Sequence, residues 1–226
     1  MKNNLHIFNV TNKADSLLED LYCKPAGVGP NIFPGHYIDS KVGENIQHKD
    51  PYYAEYVFHY WFWKNQLMNY DNDTWLGFCQ YRRYWLKENC EENLLITRDN
   101  LKDNVLNSIP SVWANYDAVV AKRVYVNNTK FIKLVKRGYR NILNDPALIF
   151  DKKKHNVKLH FDMSHGYGKL DRAIDLLDRK ERDDFREYVN KNTFFNPNHM
   201  FISHPKIMNE WFKSVFDWLL KCEDIF

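Results

Sequence analysis

Two adjacent arginines, Arg82 and Arg83, stand between Tyr81 and Tyr84 immediately after the apolar run 75–79. A guanidinium presents a planar fork of donors that matches phosphate oxygens, and burying it without an anion is costly. The run therefore reads as a diphosphate-binding element. The competing reading pairs one arginine with a carboxylate such as Glu55 and leaves the other in water. Thr11 and Lys13 follow an earlier apolar run, 5–10, and could add a hydroxyl and an ammonium to the same site, with Asn45 nearby. Lys64 and Asn65 close a long aromatic stretch, where a lysine would also suit a helix dipole. For proton transfer, His165 in the loop Ser164-His165-Gly166-Tyr167-Gly168 is the preferred base, with Asp171 as its partner or as an acceptor-binding group; Asp162, Asp171 and His199 are further candidates. Glu55, on the aromatic segment, needs a partner if buried, and a lysine, an arginine or His59 one turn on could serve.

These residues must be positioned by a fold. The 226-residue chain has 44% hydrophobic and 27% charged residues, which excludes a disordered or fibrous protein and allows one large domain or two small ones. No apolar run is long enough to span a bilayer, and the first apolar stretch is too short and interrupted for a signal peptide. A cytoplasmic location is expected, with peripheral attachment to the inner face of the membrane as a variant of it. Four cysteines without a C-x-x-C pair argue against a disulfide framework or a zinc site. A net charge of +3 gives no argument for nucleic acid. The aromatic fraction, 16%, fits either a tryptophan-rich core or rings that pack against sugars.

The periodicity predicts strands at 5–10, 75–79, 116–121 and 200–202, and a loop over 23–37. It predicts helices at 51–70, 101–109, 170–190 and 205–223, the first apolar nearly all round and therefore buried between layers. Strands alternating with helices imply an α/β fold, a mostly parallel sheet with helices on both faces. Ligands of such sheets bind beyond the carboxyl ends of the strands, which is where Thr11 and the Tyr81-Arg82-Arg83-Tyr84 run fall. Residues 122–158 carry eleven Lys/Arg against two acids, a local charge of +9 that leaves the remainder at −6. There Phe131, Leu134, Val135, Tyr139 and Ile142 recur at helical spacing opposite Lys130, Lys133, Lys136, Arg137 and Arg140. This basic amphipathic helix either lies on an anionic membrane or turns its apolar stripe to the core.

The stretch Gly77-Phe78-Cys79-Gln80-Tyr81-Arg82-Arg83-Tyr84-Trp85 resembles the G-L-C-H-Y-R-R-Y-F signature of the bacterial domain of unknown function 4422 family. That family occurs in capsular and exopolysaccharide loci and is regarded as glycosyltransferase-like. In the same order, Thr11-Asn12-Lys13 resembles its T-H-K, and Tyr22, Pro25, Val28 and Gly29 its Y-x-P-I-x-V-G. Gly43-Glu44-Asn45-Ile46 resembles G-D-N-I, and Ala54-Glu55 with Tyr60-Trp61-Phe62-Trp63-Lys64-Asn65 resembles C-E-L-T…Y-W-A-W-K-N. Tyr116-Asp117 fits its Y-D, His165 with Leu170-Asp171 its H-x-x-x-D-L at one residue longer spacing, and His199-Met200-Phe201-Ile202 its N-M-F-I. The chain departs at Asn12 and Gln80, where the family has His, and at His199, where it has Asn.

The resemblance implies a nucleotide-diphospho-sugar transferase (GT-A-like) architecture: one domain over 1–226, with 122–160 as a basic insertion. It implies transfer of a sugar from a nucleotide-diphosphate donor, a UDP-sugar by preference, to a glycan or lipid-linked glycan of a bacterial surface polysaccharide. Donor binding would fall to Thr11, Lys13, Val28, Gly29, Asn45, Lys64, Asn65, Tyr81, Arg82 and Arg83. Catalysis would fall to His165 and Asp171, with Glu55 and His199 at the acceptor or behind these groups. Related folds neutralise the leaving diphosphate with a D-x-D motif and Mn or Mg. Here the arginines occupy that position, so a metal is not favoured, with Mn or Mg left open as the alternative. Asp71-Asn72-Asp73 has the D-x-D form but precedes its strand and reads as a turn. The replaced histidines keep open a second class, a nucleotide- or carbohydrate-binding module without catalysis.

Overall fold

The computed structural model describes residues 4–91, 94–197 and 199–226. They divide into two compact units. The first is Met1–Ala121 with Asn198–Phe216, and the second is Lys122–Pro197 with Asp217–Phe226. The basic stretch 122–160 thus belongs to the second unit.

The first unit contains β1 (Leu5–Thr11), β2 (Lys24–Gly27), β3 (Ile38–Asp39), α1 (Asp50–Tyr53), α2 (Tyr56–Asn65), β4 (Trp75–Gln80), α3 (Arg98–Asn104) and β5 (Ala118–Val120). The second contains β6 (Val124–Tyr125), α4 (Phe131–Arg137), α5 (Tyr139–Asn144), α6 (Val157–His165), α7 (Lys169–Ile174), α8 (Arg179–Lys191) and β7 (Phe194–Phe195). Then β8 (Phe201–Ser203) returns to the first unit, and α9 (Pro205–Glu223) starts in the first and ends in the second.

The six-stranded sheet has the order β3-β2-β1-β4-β8-β5. β1 pairs in parallel with β2 and β4, and β2 with β3, whereas β8 runs antiparallel between β4 and β5. β1 and β4 are buried along almost their whole length, as central parallel strands must be. Phe8 and Phe78 face α2 and α9, meeting Phe58, Phe62 and Phe212. Leu5, Ile7, Trp75 and Cys79 build a second cluster with Leu106, Trp113 and Ile202. Gly77 lies where the strands pack closest: a Cβ there would come within 2.6 Å of Ile202 and 2.7 Å of Ile7.

Several sequence expectations need correction. The glycine- and proline-rich stretch 23–37 contains β2, because β1 offers it a complete parallel edge. The helix expected over 51–70 is broken at Ala54, whose φ of 46° interrupts α1 from α2. The helix expected over 170–190 is two, α7 and α8. The amphipathic segment is also two helices, meeting at Gly138; Leu134 is buried while Phe131, Val135 and Tyr139 are exposed. Among the described residues, no helix is long and apolar enough to cross a membrane.

Candidate active site

Chain order changes direction at β1: the next two strands, β2 and β3, lie on one side of it, and β4, which follows them, lies on the other. Beyond the carboxyl ends of β1 and β4 the two crossovers part, and an open α/β sheet has its natural crevice there. Thr11 ends β1 and Gln80 ends β4, so the Tyr81-Arg82-Arg83-Tyr84 run sits at this switch point. The Tyr81 N–H donates to the Val10 carbonyl at 3.1 Å, and the Arg83 N–H closes a turn on the Gln80 carbonyl at 2.9 Å.

Inside that turn Arg82 has φ 66°, a left-handed conformation that costs a non-glycine residue about 1–2 kcal/mol. Its guanidinium stacks on the Tyr81 ring at 4.6 Å. Both arginines are exposed, and neither pairs with a carboxylate among the described residues. The reading that gave one of them to Glu55 does not hold, because Glu55 Oε1 accepts a hydrogen bond from the Gln80 amide at 3.0 Å.

On the face of the sheet away from α2, the turn borders a cavity of about 420 Å³ lined by Asp15, Tyr81, Arg82, Tyr84, Thr97 and Arg98. Arg98 grips Asp15 through two hydrogen bonds, 2.7 and 3.0 Å. That guanidinium holds the Asp15 carboxyl below its ordinary range. Burial pushes the Tyr84 hydroxyl up, so it stays protonated and can donate. Asp15, Thr97 and Arg98 were not singled out from the sequence; the Asp15–Arg98 pair spans 83 residues and leaves no local signal.

On the α2 face of the same crest, three side chains gather. Gln80 ends β4, and Glu55 stands just ahead of α2. His199 precedes β8, whose antiparallel course brings its start to the end of β4. The His199 ring lies 4.1 Å from that of Tyr56 and 6.4 Å from that of His59. Burial lowers the His199 pKa while the Glu55 charge opposes that shift. Its imidazole is therefore neutral near pH 7, with an anion close enough to stabilise it once protonated. His59 is fully buried with its pKa lowered well below 6.5, and its Nδ1 has no partner among the described residues.

The remaining expected donor residues separate into groups. Thr11 is buried, and its hydroxyl donates to the Lys13 carbonyl and accepts from the Lys13 N–H; it shapes the turn that exposes Lys13. The Val28 N–H donates to the Thr11 carbonyl. Gly29 has φ 83°, and a side chain there would meet Asp50 and Asn12. Asn45, Lys64 and Asn65 gather elsewhere. Asn45 ties the carbonyls of Lys41 and Gly43, Asn65 bonds both the N–H and the carbonyl of Glu44, and Lys64 pairs with Glu44 at 3.6 Å. This cluster is at the carboxyl end of α2, the end that leads back to the start of β4, so it is not brought to Thr11, Tyr81 and Arg82.

His165 and Asp171 lie in the second unit. His165 is exposed and packs on the Phe161 ring at 4.6 Å. The Asp171 carboxylate pairs with Lys158 at 3.1 Å, and no contact joins it to His165 among the described residues. Asp162 is buried and satisfied by Asn141, Lys158 and the Gly168 N–H, which makes it a structural carboxylate.

Among the described residues no three His, Cys, Asp or Glu side chains cluster suitably for a metal ion. Asp73 accepts from the Asn4 amide, and the Asp71 carbonyl accepts from the Thr74 N–H, the pattern of a turn entering β4.

A family model described as domain of unknown function (DUF4422) matches residues 6–226. The chain belongs to that family. A solved structure, the apo form of the WbbM bifunctional glycosyltransferase, superposes on 98% of the chain with a TM-score of 0.58 at 17% identity. The chain covers 37% of that protein. At this identity the likeness establishes a shared fold, consistent with a GT-A-like architecture. No curated protein matches this DUF4422 chain.

Proposed function

We propose that this DUF4422 protein transfers a sugar from a nucleoside diphosphate donor, a UDP-sugar by preference, to a glycan or lipid-linked glycan of a bacterial surface polysaccharide. The observation that carries the reading is the uncompensated Arg82-Arg83 pair at the switch point of the sheet, beside the Asp15–Arg98 cavity. In the transfer the bond from the sugar C1 to the diphosphate oxygen breaks, and its electron pair goes to the diphosphate. Arg82 and Arg83 stabilise that charge as it develops, with Tyr81, Lys13 and the Thr11 turn holding the donor. The acceptor oxygen forms the new bond to C1 and gives up its proton to a base.

We assign that base to His199, which is neutral at pH 7 and next to Glu55. His165 is the competing assignment, and His165→Ala against His199→Ala separates them. Because the diphosphate charge falls to two guanidiniums, transfer proceeds without Mn or Mg and survives EDTA. The family's occurrence in surface-polysaccharide loci supports a reaction on the cytoplasmic side.

The test is a thermal-shift screen of UDP, GDP, CMP and dTDP, followed by turnover of the sugar donors that bind. A ligand at a hundred times its Kd should add about 2.7 kcal/mol of stability. Binding together with slow donor hydrolysis supports a transferase. Binding without turnover over a broad donor and acceptor panel supports the alternative, a module that holds a nucleotide or a carbohydrate. No binding to any nucleotide removes the transferase and the nucleotide-binding module and leaves only a carbohydrate-binding one.

A further inference from the structure

The second unit has an outward surface whose composition the fold does not use. Leu134 anchors α4 in a core with Leu148, Leu159 and Met163, and Gly138 continues that inner row. The Gly138 N–H donates to the Leu134 carbonyl at 2.7 Å and the Ile142 N–H to the Gly138 carbonyl at 3.0 Å, so α5 carries the same row onward.

The other rows face water, and they are not ordinary surface rows. Phe131, Ile132 and Leu143 are 59%, 67% and 77% exposed, and Val135 and Tyr139 lie between them, also exposed. At helical spacing these five fall together on one side of the outward surface. Lys133, Lys136, Arg137 and Arg140 fall together on the adjoining side. None of these four pairs with a carboxylate among the described residues. The acids nearest in sequence are engaged elsewhere: Asp145 with Lys154, and Asp151 as the cap on the Lys153 N–H.

An exposed apolar row costs solvation, and a row of unpaired cations repels itself; neither is relieved among the described residues. A single partner relieves both: a surface with anionic headgroups above an apolar layer. Aromatic and aliphatic side chains enter the headgroup boundary while lysines and arginines neutralise the phosphates. We propose that α4 and α5 dock the protein on an anionic lipid bilayer, with Phe131, Ile132, Val135, Tyr139 and Leu143 inserted and Lys136 and Arg140 on the headgroups. The docking does not rest on the transferase reading, since all of its residues lie in the second unit.

The experiment is flotation of the full chain with phosphatidylcholine vesicles, with and without phosphatidylglycerol. Binding is expected only with the anionic lipid and should weaken as salt rises. The double variants Phe131→Ser/Leu143→Ser and Lys136→Glu/Arg140→Glu should each weaken binding by about tenfold or more. Both alter exposed side chains and leave Leu134 in place, so their melting temperatures, measured alongside, should match the parent. Failure to bind anionic vesicles at low salt overturns the proposal. So does binding that the apolar variant leaves unchanged. Concentration-dependent self-association that Phe131→Ser/Leu143→Ser abolishes would assign the face to a second copy instead.

Discussion

Gln80 donates its side-chain amide to Glu55 Oε1 at 3.0 Å, tying the last residue of β4 to the residue ahead of α2. The bond holds the Glu55 carboxylate at the end of the sheet that also receives His199. Glu55→Gln keeps the shape and removes the charge. His199 then loses the neighbour that opposes its lowered pKa. Under the assignment of His199 as base, kcat falls by about 10²-fold, the scale of a lost proton-transfer contribution. The acidic limb of the kcat/KM profile also moves to lower pH, since a less basic imidazole stays neutral further down. A pH–rate profile of Glu55→Gln that overlays the parent would remove Glu55 from the mechanism.

Arg82 combines an unfavourable backbone conformation with a solvent-facing charge. Arg82→Ala removes one charge-assisted contact to a diphosphate, so nucleotide affinity should weaken by about 10- to 100-fold in a calorimetric titration. Arg82→Gly should lose the same affinity while melting no lower than Arg82→Ala, because glycine relieves the left-handed strain at φ 66°. Unchanged affinity in both variants would place the diphosphate elsewhere.

Gly77 sits in the middle of β4, where a methyl group would press on Ile7 and Ile202 from both neighbouring strands. Gly77→Ala should cost about 1–3 kcal/mol, the usual range for overpacking a closed core. For a chain of this size that is a fall in Tm of several degrees, at about 2–4 °C per kcal/mol. Calorimetry reads it directly, and a melting temperature equal to the parent's would mean that the two isoleucines give way without cost.

β1 and β4 are legible in the sequence because strands buried on both faces must be apolar without interruption, and α9 because its nineteen residues carry a long apolar stripe. β2 is not legible: Lys24-Pro25-Ala26-Gly27 has poor strand residues and forms only because β1 supplies the hydrogen-bonding edge. The site divides in the same way. Tyr81, Arg82 and Arg83 can be singled out as candidates from local order alone. Lys64 and Asn65 look equally suitable in the chain, but which end of the sheet a helix terminus reaches is set by topology. The Asp15–Arg98 grip is invisible until distant segments meet.

His59 supplies a test of the fold through acid. Its ring packs on Phe78 at 4.4 Å, and it is 1% exposed. Burial, with His199 close by as the smaller cause, drives its pKa well below the 6.5 of the unfolded chain. His199 is lowered from 6.5 as well. The unfolded chain therefore binds more protons than the folded one once the pH falls below 6.5. Stability is fully present above that value and declines as acid is added, until each folded-state pKa is passed. Each histidine contributes a slope of about 1.4 kcal/mol per pH unit where it is charged only in the unfolded chain. The Tm should be flat from neutral to mildly basic pH and drop steadily on acidification, before the carboxylates titrate. His59→Phe keeps an aromatic ring in the site and removes the titration, so its Tm should fall less steeply with acid whatever its absolute value. An identical slope in parent and variant would show that the imidazole finds a proton acceptor inside the fold.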